Sequence, residues 1–393
     1  MTAASQQPPK RGAWVAPPRA EARIDLSAYR RNIMALRDRL VGGAELWAVV
    51  KANAYGHDVD RLAQEAVAAG ARRLCVATLS EARQLRQNGI RGSMLIMGPL
   101  DEPSVRRAVD LDVAVAVLGE GMLAGFEHAA ADGAWGGRKV ARVHLKVDTG
   151  MGRWGVPLAE AERALDRLLA LEGVEVEGVM THFATADEVG TDDGFFEQQL
   201  ERFTEFVALA RERVPGIVAH AANSAGTLRD ERAHFDAVRC GVATYGLDPM
   251  QRDPAEHGLT PVLSLRSHVA HLSELQPGES TGYSRSFVAT EPSIVARVPI
   301  GYADGVRRAL ANRGSVLIGG VERAIVGNVS MDHISVLVDD TVQLGDVVTV
   351  IGRDGNGWIG AEHHARWADT INYEVTCSIA GEPRLLRAHV QES

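Results

Sequence analysis

Residues 46–78 read LWAVVKANAYGHDVDRLAQEAVAAGARRLCVAT. The stretch opens with five apolar residues, Leu46 to Val50, which run into Lys51 and a short polar loop. DVDRLAQEAVAAG (58–70) follows with the apolar spacing of an amphipathic helix, and RLCVAT (73–78) is a second apolar run. Strand, helix and strand in that order form a crossover unit, which joins parallel strands. The unit then recurs. SMLIMG (93–98), VAVAVL (113–118), ARVHLKVD (141–148), VEVEGVMTH (174–182), GIVAHAANS (216–224) and AVRCGVATYG (237–246) are further apolar runs. Helical stretches such as LAEAERALDRLLALEG (158–173) lie between several of them. With LWAVVKA (46–52) and RLCVAT, these strands predict an α/β fold whose N-terminal part is a closed (β/α)8 TIM barrel. A doubly wound open sheet is the competing arrangement for this half.

After about residue 260 the texture changes. SLRSHVAHLSEL, SIVARVPIGY, RGSVLIGGVERAIVGNVSMD, HISVLVDD and GDVVTVIG are short β-type segments divided by Gly and Asp turns. Long helical patterns nearly vanish there. A barrel is expected over 21–258 and a C-terminal mostly-β domain over 259–393. Residues 1–20 carry Lys10, Arg11, Arg19 and four prolines, lack the apolar stretch of a secretory signal, and read as a flexible tail.

The chain has 393 residues, which suits about two domains at ~150 residues each, or a barrel of ~250 residues with a smaller partner. It is 46% hydrophobic and 24% charged with a formal net charge of −9, a balance that invites neither nucleic acid nor an anionic membrane surface. No apolar run is long enough to predict a membrane span. Cys75, Cys240 and Cys377 are odd in number and widely spaced, without a CxxC pair. They predict neither a zinc site nor a disulfide framework, and the cytoplasm is the expected compartment.

In a (β/α)8 barrel the active site lies at the C-terminal strand ends. The first strand ends at Lys51. The fifth ends at Asp148 and runs on through DTGMGRWG to Arg153, the sixth ends at Thr181 and His182, and the seventh at Asn223 and Ser224. The eighth carries Arg239 before a turn at Gly241. Each of these alone is as readily a surface residue; the argument lies in their convergence. A lysine amine forms a Schiff base with an aldehyde cofactor, and desolvation lowers its pKa for that role. Small-residue turns at Ser224–Gly226 and Gly241 offer backbone N–H groups to a phosphate. Pyridoxal phosphate satisfies both requirements.

Nine ordered motifs spread over both halves make the chain resemble the alanine racemases, pyridoxal-phosphate enzymes of fold type III. They are AVVKANAYGH (48–57), KVDTGMGRWG (146–155), THFATAD (181–187), HAANSAG (220–226), RCGVATYG (239–246), TGYSRSF (281–287), PIGYADG (299–305), SMDH (330–333) and TINYE (370–374). The lysine motif alone would not separate this family from other cofactor-binding barrels or from decarboxylases. The resemblance implies that Lys51 holds the cofactor. Tyr55, Ser224, Tyr373 and the backbone of Gly241 and Val242 would hold its phosphate. His182 and Asn223 would line it, and Arg239 would face the pyridine nitrogen. It further implies two bases, Lys51 and Tyr283, the latter from the other subunit of a homodimer with composite sites. Arg153 and the backbone of Met331 would bind the substrate carboxylate. Lys146 matches a lysine often carried as a carbamate, and Asp187, Tyr302, Asn328 and Asp332 would lie around the site and its entrance channel. No metal is implied. The activity implied is interconversion of L- and D-alanine, with D-alanine destined for peptidoglycan.

Two positions depart from the family pattern. Asp58 stands where a glycine usually closes the lysine motif, and Asn328 replaces a channel arginine that pairs with the acid matching Asp187. The second departure implies a wider or less gated entrance, admitting serine or larger amino acids. A same-fold racemase of other specificity is therefore one alternative. A decarboxylase would need a reactive cysteine in a CDG-type motif, which does not appear. A cofactor-binding homeostasis protein would lack the β domain.

Overall fold

The computed structural model describes residues 18–133, 140–191 and 193–391. The tail read over 1–20 therefore falls mostly outside the described residues. Regular structure begins at Ala20, and Arg19 already pairs with Asp304, its Nη1 to Oδ2 at 2.8 Å and its Nη2 to Oδ1 at 2.5 Å.

The apolar runs form a parallel barrel. Its strands are Glu45–Val49, Arg73–Val76, Ser93–Ile96, Ala114–Val117, Ala141–Asp148, Val174–Met180, Val218–His220 and Ala237–Cys240. Glu45–Val49 pairs with both Arg73–Val76 and Ala237–Cys240, and the ring closes where Val115, Ala116 and Val117 align with Val143, His144 and Leu145. The open-sheet arrangement is excluded by that last pairing. Ala114–Val117 is buried at all four positions, because helices cover one face and the barrel interior the other. Helix Val59–Ala68 turns Val59, Leu62, Ala63 and Ala66 inward at the spacing that the sequence shows. Helix Leu79–Gln87 starts in a capping box, with Thr78 Oγ1 accepting from Glu81 N–H and Glu81 Oε2 from Thr78 N–H. Several strands stop short of the runs quoted above, so the polar residues at their ends sit in the loops of the barrel mouth. The helix read from LAEAERALDRLLALEG likewise ends at Leu169, ahead of Gly173.

The C-terminal part is mostly β. One sheet runs in the order Val321–Ala324, Ser315–Ile318, Val347–Asp354, Leu263–His268, Ala20–Asp25 and Leu386–Val390. A second joins His271–Leu275, Ser293–Val298 and Ile334–Val338. Strand Ala20–Asp25 begins at the last residue of the stretch read as a tail and otherwise lies in the stretch assigned by sequence to the barrel, yet it sits inside the C-terminal sheet. It pairs antiparallel with Leu263–His268 and parallel with Leu386–Val390. A strand's own pattern does not state which sheet it joins. Two short helices, Ala361–Ala368 and Asn372–Cys377, break the β texture. Asn372 ties them to the barrel: its Nδ2 donates to Asp248 O at 2.8 Å, and its Oδ1 accepts from Gln251 Nε2 at 3.0 Å. This seats Tyr373 at the barrel mouth. Among the described residues no helix is long and apolar enough to cross a membrane.

Candidate active site

The first barrel strand stops at Val49, two residues before Lys51. Tyr245 fixes its end by donating its hydroxyl to Val49 O at 2.8 Å. The chain then turns with the wrong hand: φ is 52°, 53°, 53° and 53° at Ala52, Asn53, Ala54 and Tyr55. A left-handed L-residue costs ~1–2 kcal/mol, so a run of them persists only where the surroundings impose it. Ala52 N–H donates to Glu81 Oε1 at 2.8 Å, and Asn53 Oδ1 accepts from Val59 N–H at 2.8 Å. His57 lies 3.0 Å through Nδ1 from both Ala54 O and Tyr55 O. Burial pushes its pKa down to about 4, so the ring is neutral and Nδ1 carries the proton it donates. Gly56 has φ 85°, and a Cβ there would lie 2.1 Å from Thr376 O. Arg387 Nη1 donates to Gly56 O from the C-terminal strand. Asp58 keeps a φ of 75° that glycine would adopt freely. It caps the next helix, accepting from Asp60 N–H at 3.3 Å, and its Oδ2 pairs with His389 Nε2 at 3.0 Å.

The turn delivers Tyr55 to Gly241. A Cβ on Gly241 would lie 2.4 Å from the Tyr55 hydroxyl oxygen, so only glycine fits beneath that ring. Ser224 Oγ accepts from Gly241 N–H at 3.0 Å and Ala243 N–H at 3.2 Å. Asn223 caps the same corner, its Oδ1 accepting from Gly226 N–H at 2.9 Å. The Tyr373 ring stands 6.1 Å from that of Tyr55. Burial raises the pKa of both phenols, so both are neutral donors. Hydroxyls and backbone N–H groups thus converge on one small-residue pocket, the chemistry that suits a phosphate.

Below the mouth the barrel interior is polar. Arg239 is buried, and burial pushes its pKa down to about 10, leaving it cationic at neutral pH. Its Nη atoms donate to Thr181 O at 2.7 Å, Ala221 O at 2.9 Å and His220 O at 2.9 Å. Nη1 is also 2.8 Å from His220 Nδ1. Arginine has no acceptor, so His220 Nδ1 accepts and its proton sits on Nε2. That proton points to His144 Nδ1 at 3.0 Å, and His144 Nε2 lies between Arg73 Nη1 at 2.7 Å and Glu177 Oε2 at 3.3 Å. Burial lowers the pKa of both imidazoles, which keeps this relay neutral between its charged ends. Arg73 closes it by pairing with Glu177 and packing 4.4 Å above the Trp47 ring. A Cβ on Gly178 would strike His144 Nδ1 at 2.3 Å.

Cations crowd the mouth. The pKa of Lys51 is lowered by burial and then by Arg153, against the opposing pull of Glu81. Burial and then Arg239 bring Lys146 down to about 8. Burial and then Arg239 hold His182 well below its usual pKa, and its Nδ1 is 3.4 Å from Arg239 Nη2. Arg153 follows a loop fastened by Asp148, whose Oδ1 accepts from Gly150 N–H at 2.9 Å. Asp187 is exposed and acts electrostatically on Tyr373.

The remaining sequence candidates form a second cluster on the β domain. Tyr302 N–H donates to Ser330 O at 2.9 Å, and Ala303 N–H to Met331 O at 3.1 Å. Asp332 Oδ1 accepts from Arg384 Nη2 at 2.5 Å. Tyr283 is 73% exposed and Met331 52%. Among the described residues, the Tyr283 side chain makes no hydrogen bond or ring contact with the barrel cluster.

The sequence reading did not single out Glu81, His144, His220 or Arg387. Glu81 carried a signal, because TLSE (78–81) has capping-box spacing. Arg387 carried none, because it reaches Gly56 only through the fold.

Two family models match the chain: the alanine racemase N-terminal domain over residues 24–249 and the alanine racemase C-terminal domain over 262–387. The chain belongs to the alanine racemase family. A curated alanine racemase from Listeria monocytogenes serotype 4a is 39% identical over 358 residues, covering 90% of this chain and 94% of its own. The crystal structure of alanine racemase from D-cycloserine producing Streptomyces lavendulae matches with a TM-score of 0.88 and 36% identity, over 96% of this chain and 99% of that one. The alanine racemase from Bartonella henselae, crystallised with covalently bound pyridoxal phosphate, matches with a TM-score of 0.84 and 28% identity, over 95% of this chain and 100% of that one. The chain is thus an isomerase of the alanine racemase type, and its TIM barrel and mostly-β domain are that family's two parts.

Proposed function

We propose that this protein interconverts L- and D-alanine on pyridoxal phosphate, with Lys51 and the Tyr283 of a second copy as the two bases. The observation that carries the reading is the left-handed turn, which begins at Lys51 and brings Tyr55 over Gly241. The residues present fit the cofactor, because the Tyr55 hydroxyl lies against Gly241, whose N–H with that of Ala243 meets the Ser224 hydroxyl, so that neutral donors gather at one corner. When bound, pyridoxal phosphate supplies an electron sink that acidifies the Cα–H bond of an amino acid.

Lys51 would hold the cofactor aldehyde, and its amine would take or return a proton at the substrate Cα on one face. Its lowered pKa raises the share of free amine at neutral pH. Ser224, Tyr55, Tyr373 and the N–H groups of Gly241 and Val242 hold the phosphate, while His182 and Asn223 line the ring. Arg239 would donate to the cofactor's ring nitrogen. Its Nε donates to no other group among the described residues, whereas both Nη atoms are committed. A permanent donor keeps that nitrogen unprotonated and moderates the sink. Arg153 and the Met331 backbone bind the substrate carboxylate. Lys146, with a pKa of about 8, is suited to carry a carbamate that orients Arg153 and offsets the crowded cations.

The exposure of Tyr283 and Met331 supports a homodimer in which each barrel (21–258) receives them from the other copy's β domain (259–393). Asp187, Tyr302, Asn328 and Asp332 surround the entrance. We assign the product D-alanine to peptidoglycan synthesis and the enzyme to the cytoplasm. Lys51→Ala is expected to abolish both the absorbance of lysine-bound cofactor and racemisation, followed by a coupled D-amino-acid oxidase assay. Retention of both would overturn the assignment.

A further inference from the structure

The segment that carries Tyr283 is itself strained. Gly282 has φ 79°, and the non-glycine residues Ser284 and Arg285 have φ 61° and 47°. Adjacent left-handed residues need neighbours that over-determine them, and two asparagines do so. Asn328 Nδ2 donates to Tyr283 O at 2.8 Å. Asn312 Nδ2 donates to Ser286 O at 3.2 Å, and its Oδ1 accepts from Gly327 N–H at 2.6 Å. Asn312 therefore ties the far end of the turn to the residue preceding Asn328. Arg285 folds back, its Nε donating to Ser280 Oγ at 3.1 Å and its Nη2 to Gly278 O at 3.0 Å. The phenol projects outward while its backbone is clamped at both ends.

We propose that Asn328 is a positioning residue for Tyr283: its amide fixes the carbonyl of the second base, and with it the place of the phenol over the partner's barrel. The proposal rests on the reading of Tyr283 as a base. It gives the departure at Asn328 a function of its own, because the side-chain amide donates to Tyr283 O.

The test uses the holoenzyme with α-deuterated L- and D-alanine. Asn328→Leu removes the donor at similar volume, Asn328→Ser is a milder form should the first not fold, Asn328→Gln restores an amide, and Tyr283→Phe is the reference. The expected result is an about 10-fold fall in kcat for Asn328→Leu, with cofactor affinity changed less than about 2-fold and the dimer intact. The primary isotope effect should rise for the same enantiomer that Tyr283→Phe singles out, and Asn328→Gln should recover most of the loss. Isotope effects unchanged from the parent, or shifted equally for both enantiomers, while Tyr283→Phe shows its bias, would overturn the role of Asn328 alone. If Tyr283→Phe itself shows no bias, the two-base reading falls and this proposal with it.

Discussion

Replacing Ala52 by glycine tests the left-handed turn directly. In an ordinary helix, alanine to glycine destabilises by roughly 0.5–1 kcal/mol, because glycine loses more backbone freedom on folding. Ala52 has φ 52°, where a Cβ costs ~1–2 kcal/mol. Its side chain is exposed, so little packing is lost, and its N–H can still donate to Glu81. The difference of the two terms predicts that Ala52→Gly stabilises the apoprotein by about 0.5–1 kcal/mol. Urea denaturation of the apoprotein at neutral pH measures it as a higher midpoint at unchanged m-value. The same substitution should weaken cofactor binding by a few-fold, because a turn of glycine holds Lys51 less firmly; fluorescence titration of the apoprotein with pyridoxal phosphate reads this. A lower midpoint, by the amount usual for a right-handed helix, would refute the reasoning.

Gly241→Ala places a Cβ 2.4 Å from the Tyr55 hydroxyl oxygen. It should lower cofactor affinity by about 100-fold or more, about 2.7 kcal/mol, read by the same titration; near-parental affinity would show that the phosphate is held elsewhere. Burial works to raise the pKa of Glu177, but hydrogen bonds from His144 and Arg73 outweigh it and hold the carboxyl at about 2, against an ordinary value of 4.5. A depressed carboxyl adds stability above its unfolded pKa, and this is lost as pH falls through the folded value. Glu177→Gln should therefore destabilise the protein more at pH 7 than at pH 3, measured by denaturation at the two pH values; a pH-independent loss would refute this. Arg387→Ala should raise the cofactor dissociation constant by about 10-fold, because Gly56 O loses its partner, with the strand pairing of Leu386–Val390 left intact. If Asn328 opens the entrance, Asn328→Arg should lower kcat/KM for serine relative to alanine by at least a few-fold.

Much of this was legible in the sequence, for identifiable reasons. A strand buried on both faces must be apolar along its length, so the runs ending at Lys51, Asp148, Thr181 and Asn223 announced the barrel and the end of it where chemistry gathers. The strand Ala20–Asp25 was not assignable, because its partners are more than 200 residues distant and its own pattern fits either sheet. The left-handed turn was also hidden. KANAYG has the composition of an ordinary helix or loop, and its hand is imposed by Glu81, Thr376 and Arg387 from elsewhere in the chain. His144 and His220 were inside quoted strands, but what they do depends on Arg239 at one end and Glu177 at the other.

The placement of Ala20–Asp25 between Leu263–His268 and Leu386–Val390 also bears on synthesis. Its two neighbours leave the ribosome long after it does, the second of them last. At 5–20 residues per second the wait for that final strand is roughly 20–70 s. Once Cys240 is made the nascent chain has every barrel strand, and for roughly 7–30 s more it has neither Arg387 nor His389 to grip the turn after Lys51. The N-terminal half can close its ring early, yet the loop that takes the cofactor is completed only when Arg387 and His389 are made. Competence for the cofactor thus waits on the strand Leu386–Val390, far from Lys51 in sequence, and a disruption of that strand would be felt at the cofactor loop.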